Sequence, residues 1–202
     1  GGMSIKIAFC GEIEGNTANM FSLAWMAALQ KPVWAVLAER REKRYILWRG
    51  SSDQQLLFLD CGEGKTRRAK KYWQEADIRV LHINPEQKDL EQYLLWKTPG
   101  GESPFFLVGN YHGEKTKIKS CLRNFYRIEE ENMGWIPYNN EYAYAFERGK
   151  AARFIQRYYR GEGAEHNRCF FEELEHSSFL LQKKLETKEN HQNTGGNHLW
   201  NR

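Results

Sequence analysis

Short apolar runs alternate with longer stretches of helical periodicity along most of this chain. Ile5-Lys6-Ile7-Ala8-Phe9 reads as a first strand, and Asn16 to Gln30 as a helix. From Met20 to Leu29 the only polar residue is Ser22, so this helix is expected to be buried on nearly all sides, and Pro32 stops it. Val33 to Ala38, Leu56 to Leu59, Ile78 to Ile83 and Phe105 to Val108 read as further strands, with a short one near Met133 to Ile136. Thr66 is a candidate N-cap for a basic helix ending near Glu75. Other helices are expected over Glu86 to Trp96, Lys115 to Tyr126, Asn140 to Arg160 and Cys169 to Leu185.

Such alternation predicts an α/β fold, with parallel strands joined by crossovers and helices on both faces of one mostly parallel sheet. No internal repeat or linker divides the chain. Residues 1–189 are expected to form a single domain, and the polar, glycine-containing stretch 190–202 a fraying tail. In sheets of this kind ligands bind at the carboxyl ends of the strands. The polar residues that end the strands, Gly11, Glu39, Asp60, Asn110 and the Pro137-Tyr138-Asn139 segment, are therefore expected to gather there.

Composition narrows the class. The length of 202 residues suits one domain with one large core, and 41% hydrophobic against 28% charged residues is ordinary for a soluble protein. No apolar run reaches the roughly 18 residues of a membrane span, so none is expected. The first residues lack the basic segment, apolar core and small-residue cleavage site of a secretory signal, which predicts a cytoplasmic protein. Cys10, Cys61, Cys121 and Cys169 are far apart and show no CxxC pairing, so buried free thiols are expected; a redox pair of Cys10 and Cys61 is the alternative.

The net charge of +4 is small, but the cations are clustered. Arg40, Arg41, Lys43 and Arg44 form one group, and Lys65, Arg67, Arg68, Lys70 and Lys71 a second. Lys150, Arg153, Arg157 and Arg160 are spaced to line one helix face, with Phe154, Ile155 and Tyr158 buried behind them. Each group reads either as a solvated face or as a contact for an anionic partner, DNA included.

The chemistry centres on one loop. Gly11-Glu12-Ile13-Glu14-Gly15-Asn16-Thr17 leaves an apolar strand and enters an apolar helix, where backbone N–H groups and the positive helix terminus can hold an anion. A working phosphate-binding loop also needs a lysine beside the phosphates and a hydroxyl on magnesium. Thr17 supplies the hydroxyl. Asn16 stands at the lysine position, and Glu12 and Glu14 bring negative charge. Taken singly, each feature has a plainer explanation: Asp60 as a turn residue, Asn110 as a loop satisfier, Ile136-Pro137 as a strand stop.

The ordered set resembles the ParA/MinD family of deviant Walker ATPases, over about residues 4–160. The segments that carry the likeness are loop 10–17, Leu59-Asp60-Cys61-Gly62-Glu63-Gly64, Val108-Gly109-Asn110 and Trp135-Ile136-Pro137-Tyr138-Asn139. It is most similar to lysine-poor members such as the TadZ-like proteins of pilus assembly. The resemblance implies a P-loop NTPase-like fold and ATP with Mg2+ as cofactors. Gly11 to Thr17 and Ala18 would line the phosphates, with Asn110, Pro137 and Tyr138 beside the adenine. Thr17 and Asp60 would serve magnesium, and Glu39 would sit near the attacking water. It also implies a homodimer and a protein partner. The family's two loop lysines fall on Asn16 and Gly11, so the implied protein binds nucleotide weakly or not at all and hydrolyses little, because phosphoryl transfer depends on positioning and charge. An active ATPase with nonspecific DNA binding and a nucleotide-independent interaction module are the alternatives.

Overall fold

Ile5, Ile7 and Phe9 face one side of the first strand and Ala8 and Cys10 the other, and this alternation founds two separate cores. The computed structural model describes residues 4–11, 15–29, 33–37, 44–48, 55–84 and 101–195. Seven strands form one sheet: β1 (Ser4–Cys10), β2 (Val33–Leu37), β3 (Arg44–Trp48), β4 (Gln55–Asp60), β5 (Ile78–Ile83), β6 (Phe105–Tyr111) and β7 (Met133–Pro137). Their order is β3-β2-β4-β1-β5-β6-β7. Every pairing is parallel except that of β2 with β3. The expected mostly parallel α/β sheet is present. β3 was not expected.

Helices cover both faces, giving three layers. On one face α1 (Asn16–Ala28), α5 (Ala151–Tyr159) and α6 (Arg168–Gly195) pack Leu23, Ile155, Phe171, Leu174, Leu181 and Leu185 onto Ile5, Ile7 and Phe58. The short helix α4 (Asn140–Glu147) joins this layer through Tyr142. On the other face α2 (Arg67–Glu75) and α3 (Lys115–Asn124) bring Ala69, Trp73 and Leu122 onto Leu81, Val108 and Trp135. Thr66 caps α2 as expected, its hydroxyl accepting from the Ala69 N–H.

Several expectations need correction. The helix expected from Asn140 to Arg160 is two, because the chain turns at Gly149 with φ +70°, a value glycine adopts without strain. The last helix, expected to end near Leu185, continues through residues 190–195. Burial of α1 is one-sided: Phe21, Trp25, Met26 and Ala27 are half-buried and Leu29 is 61% exposed, while the polar Asn16, Asn19 and Ser22 face inward. The thiols also divide. Cys10 and Cys61 are buried as expected, but Cys121 and Cys169 lie on outer helix surfaces. The helix expected over 86–96 falls outside the described residues. Among the described residues, no helix is long and apolar enough to cross a membrane.

β7 forms one edge of the sheet, and α6 closes it. Ser177 Oγ accepts from the Trp135 N–H at 2.7 Å and donates to the Trp135 carbonyl at 2.9 Å. One buried hydroxyl thus satisfies both backbone groups that a neighbouring strand would otherwise take.

Candidate functional site

Parallel register brings the ends of β1 and β4 side by side, with Phe9 opposite Asp60. The chain crosses between them twice: the Cys61 N–H donates to the Phe9 carbonyl at 2.8 Å and the Gly11 N–H to the Gly62 carbonyl at 2.9 Å. Gly11 has to be glycine, since a Cβ there would lie 2.2 Å from the His82 carbonyl oxygen of β5. Gly15 precedes α1 with φ +88°, and a Cβ on it would lie 2.2 Å from Asn110 Nδ2. Both glycines framing the loop are thus required by close approach, and Gly15 by its backbone angle as well.

Asp60 is the hub. It is 5% exposed, and Asn16 Nδ2 and the Gly62 N–H donate to its Oδ1 at 3.0 and 2.9 Å. The Thr17 hydroxyl donates to Oδ2. Three neutral groups therefore hold one carboxylate, and no ion pair joins it among the described residues. Asn16, standing where a lysine was expected for a phosphate, is 5% exposed and bends onto Asp60, while its own Oδ1 is buried with no hydrogen-bond partner.

Beneath the loop lies a second polar group, in which Asn110 is joined by two residues that the sequence did not single out, Asn19 and His82. Asn19 Nδ2 is 2.8 Å from His82 Nε2 and donates to Asn110 Oδ1 at 3.2 Å. A carboxamide nitrogen only donates, so Nε2 accepts and the imidazole proton sits on Nδ1. His82 is fully buried, which pushes its pKa down to about 3, and it is neutral at ordinary pH. Its sequence signal was a lone histidine in the apolar run Ile78 to Ile83. Asn110 holds φ +53°, a left-handed conformation that asparagine tolerates. Gly109 completes the fit, because a Cβ there would lie 2.0 Å from His82 Nε2.

Further along the same edge, the Tyr138 N–H donates to the Tyr111 carbonyl at 3.3 Å. The His112 and Tyr138 rings lie 4.8 Å apart, and Tyr138 is 42% exposed. Asn139 caps α4 by accepting from the Tyr142 N–H at 2.8 Å, and its amide donates to Asn167. The Tyr142 hydroxyl donates to the Ala18 carbonyl at 2.5 Å, tying α4 to the first turn of α1.

The structure thus brings Gly11, Gly15, Asn16, Thr17, Ala18, Asp60 and Asn110 together at the carboxyl edge, with Pro137 at the end of β7, paired with Tyr111 of β6, and Tyr138 just beyond it. Glu12, Ile13, Glu14 and Glu39 lie outside the described residues. The donor set suits magnesium: Thr17 gives its proton to Asp60 and keeps both oxygen lone pairs, and carboxylate and hydroxyl are hard oxygen ligands. It suits phosphate less well. The N-terminus of α1 carries no side-chain cap, but the cation that would oppose phosphate charge is replaced by the Asn16 amide. Among the described residues, no group of three His, Cys, Asp or Glu side chains is placed to hold a metal ion.

The basic groups do not merge. Arg67, Arg68, Lys70 and Lys71 ride on α2, on the face opposite to α5, which exposes Lys150, Arg153, Arg157 and Arg160 as expected; of the three residues expected to be buried behind them Ile155 is, whereas Phe154 and Tyr158 are only half-buried. Arg40, Arg41 and Lys43 lie outside the described residues. No protein-family model matches the chain, and a search of the curated proteins finds no match. The likeness to the ParA/MinD family therefore rests on the residues named above.

Proposed function

We propose that this protein is a degenerate ParA/MinD-like localisation or assembly factor, one that binds Mg-ATP weakly, hydrolyses it little and acts by docking to a protein partner. The observation that carries this reading is the direct bond from Thr17 to Asp60 at the mouth of a glycine-framed loop, with Asn16 folded onto the same carboxylate. A hydroxyl and a carboxylate so placed suit a magnesium–phosphate ligand, and the α1 N-terminus adds N–H donors. Asn110 and Tyr138 stand along the same edge, where a base would lie. What is lacking is charge. No lysine from the loop opposes the phosphates, and a transition state that depends on electrostatic stabilisation goes unsupported.

Calorimetry with ATP and Mg2+ on the wild type, Thr17→Ala and Asp60→Ala tests the reading. Weak binding that both substitutions abolish, without steady phosphate release, is expected. Tight binding with continuous phosphate release makes the protein an active ATPase instead. Absence of heat in all three makes it a nucleotide-independent interaction module.

A further inference from the structure

At the edge of the sheet opposite the glycine-framed loop, the amino ends of the strands border a cavity of about 520 Å³. That lies within the roughly 300–1,000 Å³ of small-molecule sites. Ile78 and Phe105, the first residues of β5 and β6, form part of its wall, and α6 runs past it. Lys184, Thr187, Lys188 and His191 line it at the i, i+3, i+4 and i+7 spacing of one helix face. Where its apolar stripe of Leu174, Leu181 and Leu185 ends, α6 thus turns a polar face to the cavity.

The charges in this wall are unevenly matched. Glu102 is held by Lys188, whose Nζ donates to both carboxylate oxygens at 3.1 Å, and Asp77 accepts from the Lys6 N–H at 2.8 Å. Lys184 is half-buried and forms no ion pair among the described residues. Arg79 is 9% exposed and also has no carboxylate at ion-pair distance among the described residues. Burial lowers its pKa, and the charges of Glu102 and Asp77 nearby oppose that fall. Its Nε and Nη2 donate to the Trp73 and Gln74 carbonyls at 2.7 and 2.8 Å, closing the C-terminus of α2. Those bonds engage one edge of the guanidinium. The fork between Nη1 and Nη2 keeps an N–H on each nitrogen, the pair that can bond both oxygens of a carboxylate or phosphate.

We propose that the cavity at the amino edge binds a small organic anion, a carboxylate or phosphate compound, held by Lys184 and the second fork of Arg79. Among the charged residues of the lining, the cations Arg79, Lys184 and Lys188 outnumber the carboxylates Asp77 and Glu102, so the net attraction is for an anion. The Lys188–Glu102 pair is partly open to solvent, and the ligand and Glu102 compete for the same ammonium. The site is separate from the loop between β1 and α1, and the proposal stands whether or not nucleotide binds there.

Amide NMR titration of the nucleotide-free protein tests this, with succinate, inorganic phosphate and the uncharged succinamide as probes. Succinate or phosphate should shift the amides of Ile78, Phe105, Lys184 and Lys188 saturably, and the tighter of the two identifies the head group. Succinamide should shift none of them. Lys184→Met keeps the apolar stem and should weaken binding about tenfold. Glu102→Gln releases Lys188 and should tighten it about threefold, a gain that no folding defect imitates. Three results overturn the proposal: no saturable shift at these amides with either anion, an equal response to succinamide, or a Lys184→Met protein that binds as wild type does. Shifts confined to Gly15 and Thr17 place the anion at the other edge and overturn it too.

Discussion

Asn19 and His82 are joined beneath Gly11 and Gly15, the Asn19 amide donating at 2.8 Å to an imidazole nitrogen that solvent does not reach. The pair ties α1 to β5, and Asn19 also donates to Asn110, the residue that meets Gly15. Its protonation state is set by burial, and that has a consequence for stability.

The folded pKa of His82, about 3, lies below the unfolded value near 6.5, so the unfolded chain takes up the proton first as pH falls. The contribution of neutral His82 is complete above the unfolded pKa. It declines between about pH 6.5 and 3 by at most about 1.4 kcal/mol per pH unit. Urea denaturation at a series of pH values from 7.5 to about 5 should show this loss, and His82→Gln should flatten it. An unchanged slope in the variant would show that other groups carry the acid sensitivity.

Gly109→Ala places a methyl 2.0 Å from His82 Nε2 and 2.7 Å from Asn19 Nδ2, both rigidly bonded. The expected cost is about 1–3 kcal/mol of stability, the usual range for overpacking. Gly101 has φ +73° with nothing within 4 Å of a Cβ, so Gly101→Ala isolates the backbone penalty alone. Thermal melts should rank Gly109→Ala well below Gly101→Ala.

Ser177→Ala removes the one hydroxyl that serves both the N–H and the carbonyl of Trp135. The edge of β7 is then left with two unsatisfied backbone groups, at about 1–3 kcal/mol. Amide hydrogen exchange should quicken at Trp135 in particular. Ser177→Thr, which keeps the hydroxyl, should preserve slow exchange there.

Basic residues on opposite faces of the sheet give no single track for a polyanion. The α5 ridge of Lys150, Arg153, Arg157 and Arg160 is the more regular of the two described, although Arg157 lies 3.8 Å from Glu162. Any retention of DNA in a gel shift should vanish between low and physiological salt. Replacing all four with alanine should remove it at low salt too. Retention that survives physiological salt would contradict this expectation.

Local pattern alone determined the secondary elements whose signals are short in range. The Ile78 to Ile83 strand, the Thr66 cap and the polar ends of the strands were legible because periodicity and capping depend on neighbours a few residues away. The grouping of Gly11, Thr17, Asp60 and Asn110 followed from the fold class, which sends every parallel strand end to the same edge. β3 was not legible: its return against β2 depends on a pairing that five residues following a run of charges do not announce. Nor did the sequence say which side of α1 faces the sheet. An apolar run predicted burial all round, yet tertiary packing turned Asn16, Asn19 and Ser22 inward and left Leu29 outside. The same holds for Cys121 and Cys169, whose exposure follows from the helix face that met the core. The state of His82 and the bend of Asn16 onto Asp60 arise only when β1, β4, β5, β6 and α1 converge, because burial and hydrogen-bond partners are properties of the assembled edge and not of any one segment.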